Sequence, residues 1–270
     1  MSKDSQFSIL SHKYYNENPV FLPENLLREA RRQKNLPDCP VPDICLLDPD
    51  GDLVRYLQQK GKIEKNDCWA CYHSEMFTTE NDGRQIGIIP SIVGASYAVL
   101  VAEQLFVSGC KLLLSVTSAG ILQEEKQEAR FALITEAIRD EGTSYHYLPP
   151  DKSAVLQQSL KSPLRSAAED GVFFEAKSWT TDAPYRETRQ AIEAYRNQGA
   201  TCVEMEAAAL YAFAEQKEVA VICFAHLTNT MARKEGDFEK GEDFGSPATL
   251  NLISTVLRHL NKQELKLAQS

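Results

Sequence analysis

The chain has 270 residues, enough for one large domain or two small ones and for a sizeable buried core. Hydrophobic residues make up 43% and charged residues 25%, and 38 Asp+Glu against 29 Lys+Arg leave a formal charge of −9, which argues against nucleic acid as a partner. No apolar run approaches the roughly 18 residues of a membrane span, and the first residues lack the apolar core of a signal peptide, so a cytoplasmic protein with no membrane partner is expected.

In chain order, Pro23-Glu-Asn-Leu-Leu-Arg-Glu-Ala-Arg-Arg reads as a short helix with Pro at an early position, closed by a breaker-rich stretch from Asn35. Ile44-Cys-Leu-Leu is a brief strand that ends in the turn Asp48-Pro-Asp-Gly-Asp. Arg84 to Pro90 reads as a strand. Ala98, Val101, Ala102 and Leu105 then give helical spacing up to Gly109, and Lys111-Leu-Leu-Leu-Ser-Val is the next strand. A further strand over Arg130 to Thr135 precedes the polar stretch Arg139 to Tyr147, and a helix around Arg186 to Arg196 stops near Gly199. Glu206 to Glu215 is Ala-rich and helical, Val219 to Ala225 is a β-branched strand, and Thr249 to Leu260 is an amphipathic closing helix.

This alternation predicts an α/β fold: one domain with a central mixed, largely parallel β-sheet flanked by helices. Residues 1–40 form an irregular N-terminal extension to a domain over 41–270. In such folds ligands bind beyond the carboxyl ends of strands, which singles out Gly51 to Arg55, Ser115 to Gly120, Val203 to Glu206, and Thr228 with Asn229.

The seven cysteines are odd in number and scattered, so disulfides are not implied. Cys68 and Cys71 have the spacing of half a zinc site or a redox pair, with His73 following, but no second pair at metal-ligand spacing accompanies them. No metal site is expected. A dinucleotide fold is not indicated either, since no GxGxxG follows the first strand.

Val203-Glu-Met-Glu-Ala-Ala-Ala-Leu210, followed by a strand ending at Thr228-Asn229, resembles the nucleoside phosphorylase family that includes uridine phosphorylase and the hexameric purine nucleoside phosphorylases. Asp50-Gly-Asp-Leu-Val-Arg55, Asp82-Gly leading to Gly94, Ser118-Ala-Gly120 and Thr181-Asp-Ala-Pro-Tyr185 support the resemblance, which runs from about Val41 to Leu260. It implies a nucleoside phosphorylase-like catalytic domain over 41–270 and cleavage of a nucleoside's N-glycosidic bond with inorganic phosphate as co-substrate, without a cofactor. Nucleoside and phosphate are the implied partners, in a homo-oligomer, dimer or hexamer, whose sites borrow a residue from the adjoining subunit; His12 is a guess for that residue.

By the resemblance, Gly51, Arg55 and Ser118 bind phosphate. Glycine lets backbone amides approach an anion, and arginine supplies a permanently charged fork. Glu206 grips the ribose hydroxyls as positive charge develops at the anomeric carbon, and Met205 packs beside the sugar. Glu204 either helps bind the ribose or points to solvent or a salt bridge. Tyr185, Arg186 and Asn229 fall where the base would lie. The implied catalytic set is Glu206, Arg55 and Asn229.

Two positions depart from the family pattern. The central-strand arginine three residues before the small hydroxyl reads Ser115, so a phosphate donor is missing; Arg139, Arg186 and Arg31 or Arg32 are candidates to replace it. Asn229 stands where purine-specific members place an aspartic acid, and an amide cannot protonate a leaving base, which favours a uridine-like substrate. Three readings follow: a phosphorylase with pentosyltransferase activity, a phosphate-independent nucleoside hydrolase on the same fold, and a non-catalytic nucleoside-binding protein.

Overall fold

The computed structural model describes residues 9–123, 130–230 and 237–260. The first eight residues of the expected N-terminal extension, and the last ten of the expected domain, therefore lie outside the described residues. The α-helices among the described residues are α1 (Pro23–Lys34), α2 (Asp52–Gln59), α3 (Ala95–Val107), α4 (Gln158–Ala168), α5 (Arg189–Asn197), α6 (Ala207–Lys217) and α7 (Ser246–His259). Ten strands are β1 (Ile44–Asp48), β2 (Glu64–Lys65), β3 (Phe77–Asn81), β4 (Arg84–Pro90), β5 (Leu112–Ile121), β6 (Phe131–Asp140), β7 (Ala154–Val155), β8 (Phe173–Thr181), β9 (Cys202–Glu204) and β10 (Ala220–Asn229).

All ten strands belong to one mixed sheet, in the order β10-β6-β8-β9-β5-β1-β4-β3-β2 with β7 paired to β6. An additional parallel pairing of β10 with β5 joins the two ends of the run β10-β6-β8-β9-β5, so five strands close on themselves. The parallel pairs β4-β1-β5-β10 form the centre. Their residues are buried on both faces, as the near-continuous apolar runs Ile44–Leu47 and Leu112–Leu114 require. One hydrophobic core runs through Leu46, Ile88, Leu113, Leu210 and Phe224. Around it α3 packs on α1 and α6, while α7 packs on α2 and α4.

The fold class stands as expected, and several elements extend beyond their sequence patterns. The Asp48 to Asp52 segment is more than a turn: Gly51, at φ 69°, is the N-cap of α2, which buries Leu53, Val54 and Leu57. Helix α4 carries Pro163 in its interior, a residue that normally ends a helix. Strand β8 is interrupted by Glu175 and Lys177, which pair outward with Arg165 and Glu136 while the neighbouring side chains are buried.

The expectation of no disulfide is corrected: Cys39 and Cys68 are bonded, 29 residues apart. Cys68 and Cys71 therefore do not act as a pair, and Cys71 is a buried free thiol whose sulfur accepts from the His73 N–H at 3.4 Å. The bond ties the stretch after α1 to the loop before β3. The lead before α1 reaches the segment that follows β6, where Tyr15 Oη donates to the Tyr145 carbonyl at 3.2 Å.

Candidate functional site

The carboxyl ends of β1, β4, β5 and β10 meet the start of α6, and the polar residues of the site lie there. Strand β5 ends beside both β10 and β9: Asn229 is paired with Gly120 across one edge, and Val203 with Gly120 across the other. This brings the Ser118 to Gly120, Thr228-Asn229 and Glu204 to Glu206 segments together from distant parts of the chain.

Glu206 stands at the N-cap position of α6, makes no capping bond through its side chain, and is 1% exposed. Its Oε1 accepts from the Gly94 N–H at 2.7 Å and its Oε2 from the Met205 N–H at 3.3 Å. Gly94, at φ 93°, is the N-cap of α3 and is free to adopt that conformation because it has no Cβ. Burial, then the charge of Glu204, push the Glu206 carboxyl up to about 8, against the hydrogen bonds from Gly94, Thr117 and Met205.

Glu204, also buried, is raised by burial but held by four donors. Its Oε1 accepts from Ser178 Oγ at 3.0 Å and from Thr180 Oγ1, and its Oε2 from the N–H groups of Glu206 and Ala207, both at 2.7 Å. With four donors against three, the charged form is better held on Glu204 than on Glu206. Glu204 faces neither solvent nor a salt bridge. Its oxygens are taken up by these donors at the start of α6. Met205 between them is half-buried.

The second group lies on the adjoining face of β5. Thr117 turns to Glu206, and the next residue, Ser118, donates through Oγ to Asp50 Oδ2. Lys240, in the segment before α7, places its Nζ 3.0 Å from that same Asp50 oxygen and 2.6 Å from Asp52 Oδ2. Arg55 Nη2 donates to the Asp50 carbonyl at 2.9 Å and to Asp52 Oδ1. Asp48 is buried and accepts from the Val54 N–H at 3.1 Å; desolvation, opposed by that bond, raises its carboxyl to about 6. A cleft lined by Asp48, Asp50, Asp52, Ser118, His226 and Lys240 results. His226 stacks on Phe131 with ring centroids 4.5 Å apart, and burial followed by the charge of Lys240 lowers it to about 4, so it is neutral.

Some of the expected roles sit differently. The Gly51 N–H donates to the Asp48 carbonyl at 2.9 Å, so the glycine contributes its left-handed backbone, and the amide is already engaged. A Cβ there would also lie 3.0 Å from Arg55 Nη1. Tyr185 and Arg186 form an exposed 3₁₀ turn after β8, with Tyr185 100% exposed, so neither is packed into the cleft. Asn229 is buried, with Nδ2 3.3 Å from Thr228 Oγ1 and 3.5 Å from the Ala119 carbonyl.

None of the arginines proposed for the missing position reaches the cleft. Arg139 donates to the carbonyls of Leu148, Pro149 and Lys152 and to Ser144 Oγ, and stacks on Tyr145. Arg31 lies near Asp38, and Arg32 is paired with Glu29, both on α1. Ser115 is buried, and its Oγ has no hydrogen-bond partner among the described residues. Lys240 and His226 had no motif to mark them, and Asp50 opens a motif from which only Gly51 and Arg55 were singled out. The only signal for Lys240 is its place shortly after a strand end, and ten residues separate it from that end.

Among the described residues no cluster of His, Cys, Asp or Glu is arranged to hold a metal ion, and no helix is long and apolar enough to cross a membrane. Fold and site together define an α/β domain with a buried carboxylate pair and a charged loop at the carboxyl ends of its strands. The chain belongs to the phosphorylase superfamily, whose family model matches residues 43–260. It is 28% identical over 138 residues to a guanosine phosphorylase of Halorubrum lacusprofundi, a match that covers 50% of this chain and 57% of that relative. Its fold is similar to that of purine nucleoside phosphorylase from Toxoplasma gondii, with a TM-score of 0.65 at 15% identity, covering 86% of this chain and 90% of the other. Uridine phosphorylase from Vibrio fischeri is similar at a TM-score of 0.62 and 18% identity, covering 85% and 90%.

Proposed function

We propose that the chain is a nucleoside phosphorylase, a pentosyltransferase that cleaves an N-glycosidic bond with inorganic phosphate and releases free base and ribose 1-phosphate. The observation that carries this reading is Glu206: a carboxyl held by backbone amides at the meeting of β5, β9 and α6, within a chain whose family is that of the phosphorylases. In this reading Glu206 fixes the sugar, Met205 packs beside it, and Ser118 and Arg55 hold phosphate. The site lowers the barrier by pre-positioned charge, so no covalent nucleophile is invoked.

A uridine-like substrate is favoured by Asn229, whose buried amide can hydrogen-bond a base but cannot hand it a proton. Tyr185 and Arg186 would reach a base only by moving or across a subunit boundary in a homo-oligomer. A second reading, hydrolysis by water, draws support from Asp50: its carboxylate sits on the Ser118 hydroxyl, where it could orient a water in place of phosphate.

The test is release of free base from uridine, thymidine, cytidine, inosine, guanosine and adenosine, each with and without phosphate. Phosphate-dependent release from uridine is expected. Equal release without phosphate moves the reaction to hydrolysis, and stoichiometric binding without release from any substrate leaves a nucleoside-binding protein.

A further inference from the structure

Ser115 stands where the family resemblance implies a strand cation for phosphate, and none of the arginines proposed to replace it lines the cleft. The cleft nevertheless contains a cation. Lys240 Nζ and Ser118 Oγ converge on one atom, Asp50 Oδ2, from two different segments, a strand end and the stretch before α7. An ammonium and a hydroxyl aimed at one anionic oxygen form the donor pair a phosphate oxygen requires. The Lys240 side chain is only 17% exposed, and burial alone would lower it, but its hydrogen bonds to Asp52 and Asp50 hold it above its ordinary value. It is therefore charged.

Two further observations mark the cleft as built to take a ligand. His226 is 5% exposed and lines the cleft, and its Nε2 has no hydrogen-bond partner among the described residues; the same holds for Ser246 Oγ. A neutral imidazole can present that nitrogen as either donor or acceptor, and buried polar groups are rarely left unpaired. The wall behind the ring is fitted to it. Gly245, at φ 78°, lies so close that a Cβ would stand 2.4 Å from His226 Cε1 and 2.8 Å from the Lys240 carbonyl.

We propose that Lys240 is the phosphate-binding cation of this protein, replacing the arginine lost at Ser115, and that the Asp50 carboxylate occupies the phosphate-oxygen position until phosphate displaces it. The inference rests on the phosphorylase reading of the same site. On binding, Ser118 and Lys240 exchange a carboxylate oxygen for a phosphate oxygen, and no covalent bond changes. Lys240 keeps Asp52 as a partner in both states. Asp50 is 35% exposed and can turn outward at small cost, because water replaces the bonds it gives up.

The experiment is calorimetric titration of the full chain with inorganic phosphate, together with the phosphate and nucleoside dependence of base release, for wild type, Lys240→Met, Lys240→Arg and Asp50→Asn. Loss of one charged hydrogen bond predicts that Lys240→Met weakens phosphate about tenfold to a hundredfold while the nucleoside KM stays within about twofold. Lys240→Arg restores most of the affinity, and Asp50→Asn tightens phosphate binding. Wild-type binding that is unchanged in Lys240→Met, or unimproved in Asp50→Asn, overturns the assignment while leaving phosphorolysis standing. Absence of phosphate binding to the wild type, with base release independent of phosphate, overturns both. Should Lys240→Met not fold, the Lys240→Arg and Asp50→Asn titrations decide: an unimproved Asp50→Asn again overturns the assignment.

Discussion

Glu206 is buried and held by the backbone amides of Gly94 and Met205, whereas Asp50, reached from the next residue along β5, is partly exposed and held by side-chain ion pairs with Lys240 and a hydroxyl from Ser118. Amides of capped helices cannot shift without disturbing α3 and α6, so the Glu206 corner is organised before any ligand arrives. Ion pairs near solvent exchange partners for little free energy, so the Asp50 corner can hold a carboxylate or give it up. The protein thus combines a rigid acid with an adaptable charged loop on two faces of one strand. In the proposed phosphorolysis the rigid group meets the sugar and the adaptable one an anion that must enter and leave.

The largest effect expected from breaking the rigid corner is on turnover. Glu206→Ala should lower base release about a thousandfold, the scale of losing a pre-positioned electrostatic group, with the circular dichroism spectrum unchanged. Full activity of that variant would remove Glu206 from the site. Glu204→Ala should instead cost stability. It leaves Ser178, Thr180 and two amides of α6 without their acceptor, a loss of about 3 kcal/mol in urea unfolding. A loss under about 1 kcal/mol would mean that α6 does not depend on the cap.

Gly51→Ala probes the loop at its base. A side chain at φ 69° that meets Arg55 should destabilise by about 1 to 2 kcal/mol and loosen the Asp50 turn, seen as a lower Tm and weaker phosphate dependence. Arg55→Ala sharpens the contrast from the other side. The arginine itself is exposed and Asp52 keeps Lys240 as a partner, so stability should change by less than about 1 kcal/mol while the phosphate requirement rises more than the nucleoside requirement.

A separate handle on the rigid corner is a slope of stability with pH. The Glu206 carboxyl is raised from 4.5 to about 8 in the folded chain, so between those values the folded state holds a proton that the unfolded state has released. The associated stability is full below about 4.5, falls as pH rises, and is gone above about 8. Glu206→Gln has no proton to lose. The difference in unfolding free energy between Glu206→Gln and wild type should therefore grow from pH 5 to pH 8, and a flat difference would place the proton elsewhere.

The order of strands and helices was legible where periodicity was strong: Ile44–Leu47, the helix up to Gly109, the Ala-rich helix after Glu206 and the closing helix all lie where the apolar pattern puts them. Elements with a local conflict were hidden. Helix α2 begins with Asp-Gly-Asp, a turn signal, α4 contains a proline, and β8 carries two charges that leave the sheet only because partners wait outside. The Cys39 to Cys68 bond was invisible for a related reason: an odd, scattered set of cysteines says nothing about which two come within reach.

By itself the sequence determined the α/β class, the family and the small motifs at strand ends, because those depend on short-range pattern and on residue types that the chemistry demands. Only the tertiary structure decided which groups meet. It closed β10 onto β5, turned Glu204 inward as a helix cap, spent Arg139 on carbonyls, and brought Lys240 and Ser118 to one oxygen of Asp50. A side chain's partners depend on contacts between residues far apart in the chain, as Ser118 and Lys240 are, and no local pattern encodes them.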